Sequence, residues 1–143
     1  MKSTGEKLPR LLSALIRKHG MSSKVLTASF PAETMVTFCK ECPEIATSMT
    51  VGEARVFLAL HVVGLGSAYS PSASALQIPY RFGEYPLATP AFIQSAQRRN
   101  LKTYVWTIND EARMRDLISA GVNGIITDRP DLMLKLMGRS NSQ

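Results

Sequence analysis

The chain holds two cysteines, two histidines and one tryptophan in 143 residues, and each scarcity removes a class of function. It also has no apolar run long enough to cross a bilayer. The longest such stretch, Val56 to Ala68, is interrupted by His61 and two glycines, and it reads as a buried helix and its exit. The N-terminus MKSTGEKLPRLLSALIRK starts basic, but Arg10 breaks its apolar run and no small-residue cleavage site follows, so it does not read as an export signal. A cytoplasmic protein with reduced thiols is therefore expected. The thiols stand as CKEC, Cys39 to Cys42, a spacing shared by redox pairs and half zinc sites. Zinc would need two further ligands at paired spacing, and a thioredoxin-type pair would open a helix after a strand. Met35, Phe38, Cys39 and Cys42 instead fall at i, i+3, i+4 and i+7, the inward stripe of a helix in which a thiol acts as a small hydrophobe. Redox function would reveal itself as measurable disulfide exchange.

What is present is a folded composition, 45% hydrophobic and 20% charged with a net charge of +6, which suits one domain over residues 1–143. The basic residues are scattered. Lys2, Lys7, Arg10, Arg17 and Lys18 follow one helix, Arg98, Arg99 and Lys102 close another, and Arg113, Arg115, Arg129, Lys135 and Arg139 are spread beyond them. No basic stripe interleaved with aromatics forms, so no nucleic-acid partner is expected.

The hydrophobic periodicity alternates in type. Leu8, Leu11, Leu12, Leu15 and Ile16 repeat at helical spacing and Gly20 is placed to end that helix. Lys24 to Phe30 predicts a strand, Pro31 a helix start running to about Cys42, Glu44 to Thr50 a second strand, and Gly52 to Val63 a third helix. Gly64 to Leu87 is punctuated by Gly, Ser and Pro and predicts an irregular segment with one short extended piece. Thr89 and Pro90 then open a helix to Arg99 with Phe92, Ile93 and Ala96 on one face. A strand from Leu101 to Ile108 follows; Asn109 or Asp110 caps a helix carrying Met114, Leu117 and Ile118, and Gly121 ends it. Gly124 to Asp128 is a short buried strand, and Pro130 opens a last helix to about Met137. Strands alternating with helices imply an α/β fold with about four parallel strands covered by helices. That repeat is the unit of a (β/α)8 barrel, which typically takes ~250 residues, so the chain amounts to half of one.

Several motifs carry a resemblance. Ser29-Phe30, Pro43 to Ile45, Leu76 to Pro79, VWTIND at Val105 to Asp110 and GVNGIITDRPDL at Gly121 to Leu132 resemble the C-terminal half of a glycerophosphodiester phosphodiesterase, over roughly residues 24–137. The resemblance implies a TIM-barrel hydrolase of lipid metabolism that cleaves glycerophosphodiesters to glycerol 3-phosphate and an alcohol. It also implies a divalent cation, Mg or Ca, held by carboxylates, with two histidines as acid and base. Those groups belong to the family's early strands, which begin with an HRG-like motif that this chain lacks. The cation is thus implied for the complete domain, and this chain alone is expected to hold none.

The placement of titratable groups agrees. In a parallel barrel, chemistry sits at the C-terminal ends of strands, just past Phe30, Thr50, Ile108 and Thr127. His19 and His61 fall on helices, and neither is positioned as a general base. Asp110 and Asp128 lie at strand ends, where a lone carboxylate ordinarily begins a helix; a cation needs several converging oxygens. No catalytic or metal residue is therefore expected. Substrate-binding residues remain: by the family's WT motif Trp106 would wall the pocket at the barrel rim, with Ser29 and Phe30 beside the same cavity. A packed core residue is the competing reading of Trp106. Helix starts near Pro31, Asp110 and Pro130 would turn free N–H groups toward a phosphate. Glycerophosphodiester or glycerol phosphate is the expected ligand. The open strand edges imply a homo-oligomer, two copies closing an eight-stranded ring, or pairing with an N-terminal half-barrel. The chain then reads either as part of a phosphodiesterase, truncated or split, or as a non-catalytic half-barrel serving as a binding or interaction module.

Overall fold

The computed structural model describes residues 4–139, with side chains from residue 7. Lys2, counted above with the first helix, lies outside the described residues. The chain forms two compact units, one ending at Ala75 and one beginning at Leu76.

The first unit opens with α1 (Thr4–Lys18), followed by β1 (Leu26–Thr27), α2 (Ala32–Glu41), β2 (Ala46–Thr47) and α3 (Val51–Val62). Gly20 takes φ +61 behind α1, a left-handed turn that an L side chain would resist. β1 and β2 pair in parallel, Leu26 opposite Ala46 and Thr27 opposite Thr47, as two strands joined by a crossover helix should. Ile16, Phe38, Cys42 and Ile45 form the buried cluster beneath α1 and α2, with Leu12 and Val25 packed against it. Leu8, Leu11 and Leu15, apolar at the same helical period, are left 64%, 69% and 54% exposed. Ion pairs Arg10–Glu41 (3.1 Å) and Arg17–Glu44 (2.8 Å) run from α1 to α2 and the turn after it. α3 begins with a capping box: Thr50 Oγ1 accepts from Glu53 N at 3.3 Å while Thr50 N donates to Glu53 Oε2 at 2.8 Å.

The second unit holds a three-stranded sheet in the order β3 (Ala75–Pro79), β6 (Lys102–Trp106), β7 (Gly124–Ile125), plus an antiparallel hairpin of β4 (Arg81–Phe82) and β5 (Tyr85–Pro86). Helices α4 (Pro90–Gln97), α5 (Glu111–Ser119) and α6 (Pro130–Leu136) alternate with the strands. Thr89 caps α4 by accepting from Phe92 N, with Pro90 in the first turn. Phe92, Ile93, Ala96, Leu101, Val105, Met114 and Leu117 are buried as the core. β6 pairs in parallel with β7, Tyr104 opposite Gly124 and Val105 opposite Ile125. The Tyr104 ring lies so close to Gly124 that a Cβ built there would come within 2.7 Å of it.

The α/β class with parallel strands stands, at finer grain than the periodicity gave. The short extended piece expected between Gly64 and Leu87 is a five-residue strand, β3, with Ala75, Leu76 and Ile78 buried. Among the described residues the alternating framework therefore has five strands. β1, β2 and β7 are two residues long, shorter than their apolar runs, and Pro31 caps α2 from outside rather than starting it. Cys39 corrects the predicted stripe: it is exposed, while Met35, Phe38 and Cys42 face inward, because the buried arc of α2 is narrower than an i, i+3, i+4 face. Ile118 is likewise 37% exposed on α5.

Candidate functional site

The ends of β6 and β7 carry the most organised side chains in the second unit. Ile108 N donates to Ile126 O (3.0 Å) and Ile126 N to Val105 O (2.9 Å), so the two strands stay tied beyond their regular pairing. Past them Asn109 uses its whole amide. Nδ2 donates to Asp128 Oδ2 at 2.9 Å, and Oδ1 accepts from Thr127 Oγ1 at 3.0 Å and from Asp128 N at 2.9 Å. Thr127 Oγ1 in turn accepts from Arg129 N at 2.9 Å. Asp110 is left to cap α5, accepting from Arg113 N at 2.9 Å, which resolves the choice between the two capping candidates.

Trp106 is the last residue of β6, half-buried, with a cis peptide bond to Thr107. Two residues, Thr107 and Ile108, separate it from the Asn109 brace. Its half-burial at the strand terminus matches a rim position better than the interior one held by its neighbour Val105, which is fully buried. Tyr80, just past β3, lies under the Arg113 guanidinium at 5.4 Å from the ring centroid, a cation–π contact from the strand end to the first turn of α5.

In the first unit Ser29 and Phe30 fall beyond β1, in the turn to α2, rather than within a strand. Ser29 is half-buried and Phe30 is 76% exposed. They share one loop at the C-terminal end of β1, while Trp106 belongs to the other unit. The equivalent loop after β2 holds a small polar group: Glu53 also accepts from Ser72 Oγ (3.1 Å), and the Tyr69 hydroxyl is pushed up by burial and then by the Glu53 charge. Tyr69 stacks at a tilt on Phe57, ring centroids 5.4 Å apart. No local pattern singles out Ser72 and Tyr69, whose stretch looks like unstructured punctuation.

The carboxylates are spoken for locally. Asp110 caps, Asp128 receives Asn109, and Asp131 is held bidentately by Arg129 at 3.0 and 2.7 Å, which keeps the Asp131 carboxyl below its ordinary range. Among the described residues no three His, Cys, Asp or Glu side chains gather as a cation site. Among the described residues, then, no ligand set fits the divalent cation implied by the resemblance. His61 sits half-buried in the last turn of α3 and His19 is exposed behind α1, both away from strand ends. No described helix is long and apolar enough to cross a membrane. The arrangement can contact a ligand through aromatic surface and loop polar groups.

Comparison with known proteins gives a consistent picture. The model of the "Glycerophosphoryl diester phosphodiesterase family" matches residues 2–132. A "Probable glycerophosphodiester phosphodiesterase 2" of Mycobacterium tuberculosis is 36% identical over 58 residues, which cover 41% of this chain and 22% of that protein. Among solved structures, a glycerophosphodiester phosphodiesterase of Parabacteroides distasonis superposes with a TM-score of 0.70 at 19% identity, covering 96% of this chain and 53% of that one. An Oleispira antarctica phosphodiesterase solved with the product sn-glycerol-3-phosphate gives 0.68 at 16% identity, over 96% and 52%. At such identities the likeness shows the fold, a TIM barrel of which this chain spans about half.

Proposed function

Because the chain belongs to the glycerophosphoryl diester phosphodiesterase family, we propose that it is the C-terminal, ligand-contacting part of a barrel that hydrolyses glycerophosphodiesters to glycerol 3-phosphate and an alcohol. The observation that carries this reading is the rim at β6 and β7, where Asn109 fixes the two loops together beside half-buried Trp106. Trp106 packs against the carbon skeleton of the glycerol phosphate; Ser29 and Phe30, in the first unit, are a separate candidate contact from the loop after β1. Mg or Ca and the acid–base histidines come from the portion of the barrel that this chain does not span, so the chain is silent alone. We place it in the cytoplasm, in lipid metabolism, as a single partial domain that is a truncated or split form of the barrel. Its partners are then a small diester or glycerol phosphate and either further copies of itself or the N-terminal part of the barrel.

The chemistry sets the expectation for turnover. Diester hydrolysis needs a cation to stabilise the charged phosphoryl transition state and a positioned acid and base, together worth several kcal/mol of barrier. Supplied with magnesium or calcium, the purified chain will leave glycerophosphocholine unhydrolysed, yet millimolar glycerol 3-phosphate will change the fluorescence of Trp106, the sole tryptophan. Turnover by the chain alone, abolished by chelator and lost in His61→Ala, would overturn the assignment of catalysis to the absent part. A folded sample whose spectrum ignores saturating ligand would return Trp106 to a packing role. Ligand binding with no turnover even after the N-terminal part is added would favour the binding-module reading.

A further inference from the structure

α1 presents three different stripes, and only two of them have partners within the first unit. Ile16 and Ser13 face inward at 7% and 3% exposure, with Leu12 half-buried beside them. Arg10 and Arg17, seven residues apart on one stripe, reach sideways to Glu41 and Glu44 on the α2 flank. Leu8 and Leu15, also seven apart and accompanied by Leu11, lie roughly 160° around the helix from the arginine stripe, at 100° per residue. They are apolar, contiguous and more than half exposed. A helix in a (β/α) barrel is gripped on three sides, by the sheet beneath and by a neighbouring helix on either flank. α1 has the sheet side and the α2 flank; the leucines mark the opposite flank. Right-handed crossovers put the preceding strand–helix unit there. β1 agrees, since within its sheet β2 covers one edge and the other edge is open.

We infer that the Leu8–Leu11–Leu15 flank of α1, with the open edge of β1, is the docking seam for three further strand–helix units, the N-terminal part of a family barrel. This rests on the reading of the chain as the C-terminal part of such a barrel, and it chooses among the partners that reading leaves open. A closed barrel has eight strands and the framework here has five, so three complete it; a second copy would bring ten, too many for the ring. The chain covers 53% and 52% of two solved relatives, which leaves the remaining part of each barrel for the added units. Charge does not oppose it, because the seam itself is uncharged and Lys7 and Lys18 border it on the outward side.

The seam is tested by introducing charge into it in two settings. Leu15→Glu and Leu8→Glu are made in the 143-residue chain and in a fusion that places the first three strand–helix units of the Mycobacterium tuberculosis relative ahead of it. Ala14→Glu, exposed and about 100° around the helix from Leu15, is the control. Circular dichroism melts should show no loss for any variant in the chain alone, and a drop of several degrees for both leucine variants, but not for Ala14→Glu, in the fusion. Equal effects in both settings, including those from a fusion whose added segment stays unfolded, would overturn the seam. A loss confined to the chain alone, with sedimentation showing that Leu15→Glu dissolves a dimer, would make a second copy the occupant and overturn it too. Hydrolysis by the fusion is read separately: an inactive fusion with leucine-sensitive melting sinks the catalytic reading and leaves the seam, and an active fusion indifferent to Leu15→Glu does the reverse.

Discussion

Asn109 satisfies three hydrogen-bonding groups across an 18- to 19-residue separation with one short side chain. Each net bond of this kind stabilises by about 1 kcal/mol, less when the partners are exposed, as Asn109 and Asp128 are. Asn109→Ala should therefore lower stability by about 1–2 kcal/mol in urea unfolding. It should also speed hydrogen exchange at the Asp128 amide and shift the Trp106 emission, since the end of β6 that carries the ring loses its tie to the β7 loop. Emission and exchange unchanged in the variant would show that Trp106 is held by its strand alone. A second residue-level expectation concerns Glu44. The Arg17 side-chain hydrogen bond, then a backbone bond of its own, pull its carboxyl below the ordinary carboxylate range. A folded pKa below the unfolded one stabilises above the unfolded value and is lost as pH falls through the folded one. NMR titration should accordingly find the Glu44 midpoint depressed, and Arg17→Gln should return it toward the ordinary range; an unmoved midpoint in the variant would assign the shift to the backbone bond. The cap was legible only as a choice between Asn109 and Asp110, and the role of Asn109 was not legible, because its partners lie a whole helix away and local pattern carries no such information.

Among the elements, α3 is the one whose start is best specified. Thr50 and Glu53 close on each other, and Glu53 also receives Ser72. Thr50→Ala removes the acceptor for Glu53 N and should destabilise the fold by about 1 kcal/mol, with Thr50→Ser near wild type in the same denaturation measurement. Equal losses from both would shift the stabilisation to the threonine methyl. Helices α1, α4 and α5 were legible because they are marked at their ends: Gly20 and Gly121 at positive φ, Thr89 and Asp110 as caps. Strands were less so. β3 hid within a run of Ser, Pro and Ala on one side and a Gly-turned hairpin on the other, so its burial pattern was diluted by its surroundings. The hairpin has the same cause: Phe82 and Tyr85 are paired across Gly83 at φ +57 and Glu84, a tight turn that the sequence shows only as one glycine among aromatics.

For the whole molecule, the governing fact is that among the described residues β1 in the first unit and β7 in the second each have one side without a partner strand. Unpaired edges recruit other strands. At tens of micromolar the chain should therefore sediment as a concentration-dependent mixture instead of a single closed dimer. A sharp monomer across that range would mean that the edges are blunted, and a sharp dimer would mean that two copies do fit. The family and its fold were readable because VWTIND and GVNGIITDRPDL sit where strands end, which is where this fold keeps its chemistry. At the β7 end, the Tyr104 ring laid over Gly124 acts as a key in a slot. Only the residue without a side chain can pass beneath it, so β7 has one seating against β6, and sliding by a residue would drive Ile125 or Asn123 into the ring. An edge strand that cannot slip offers any incoming strand a single phase, which turns an adhesive border into a selective one.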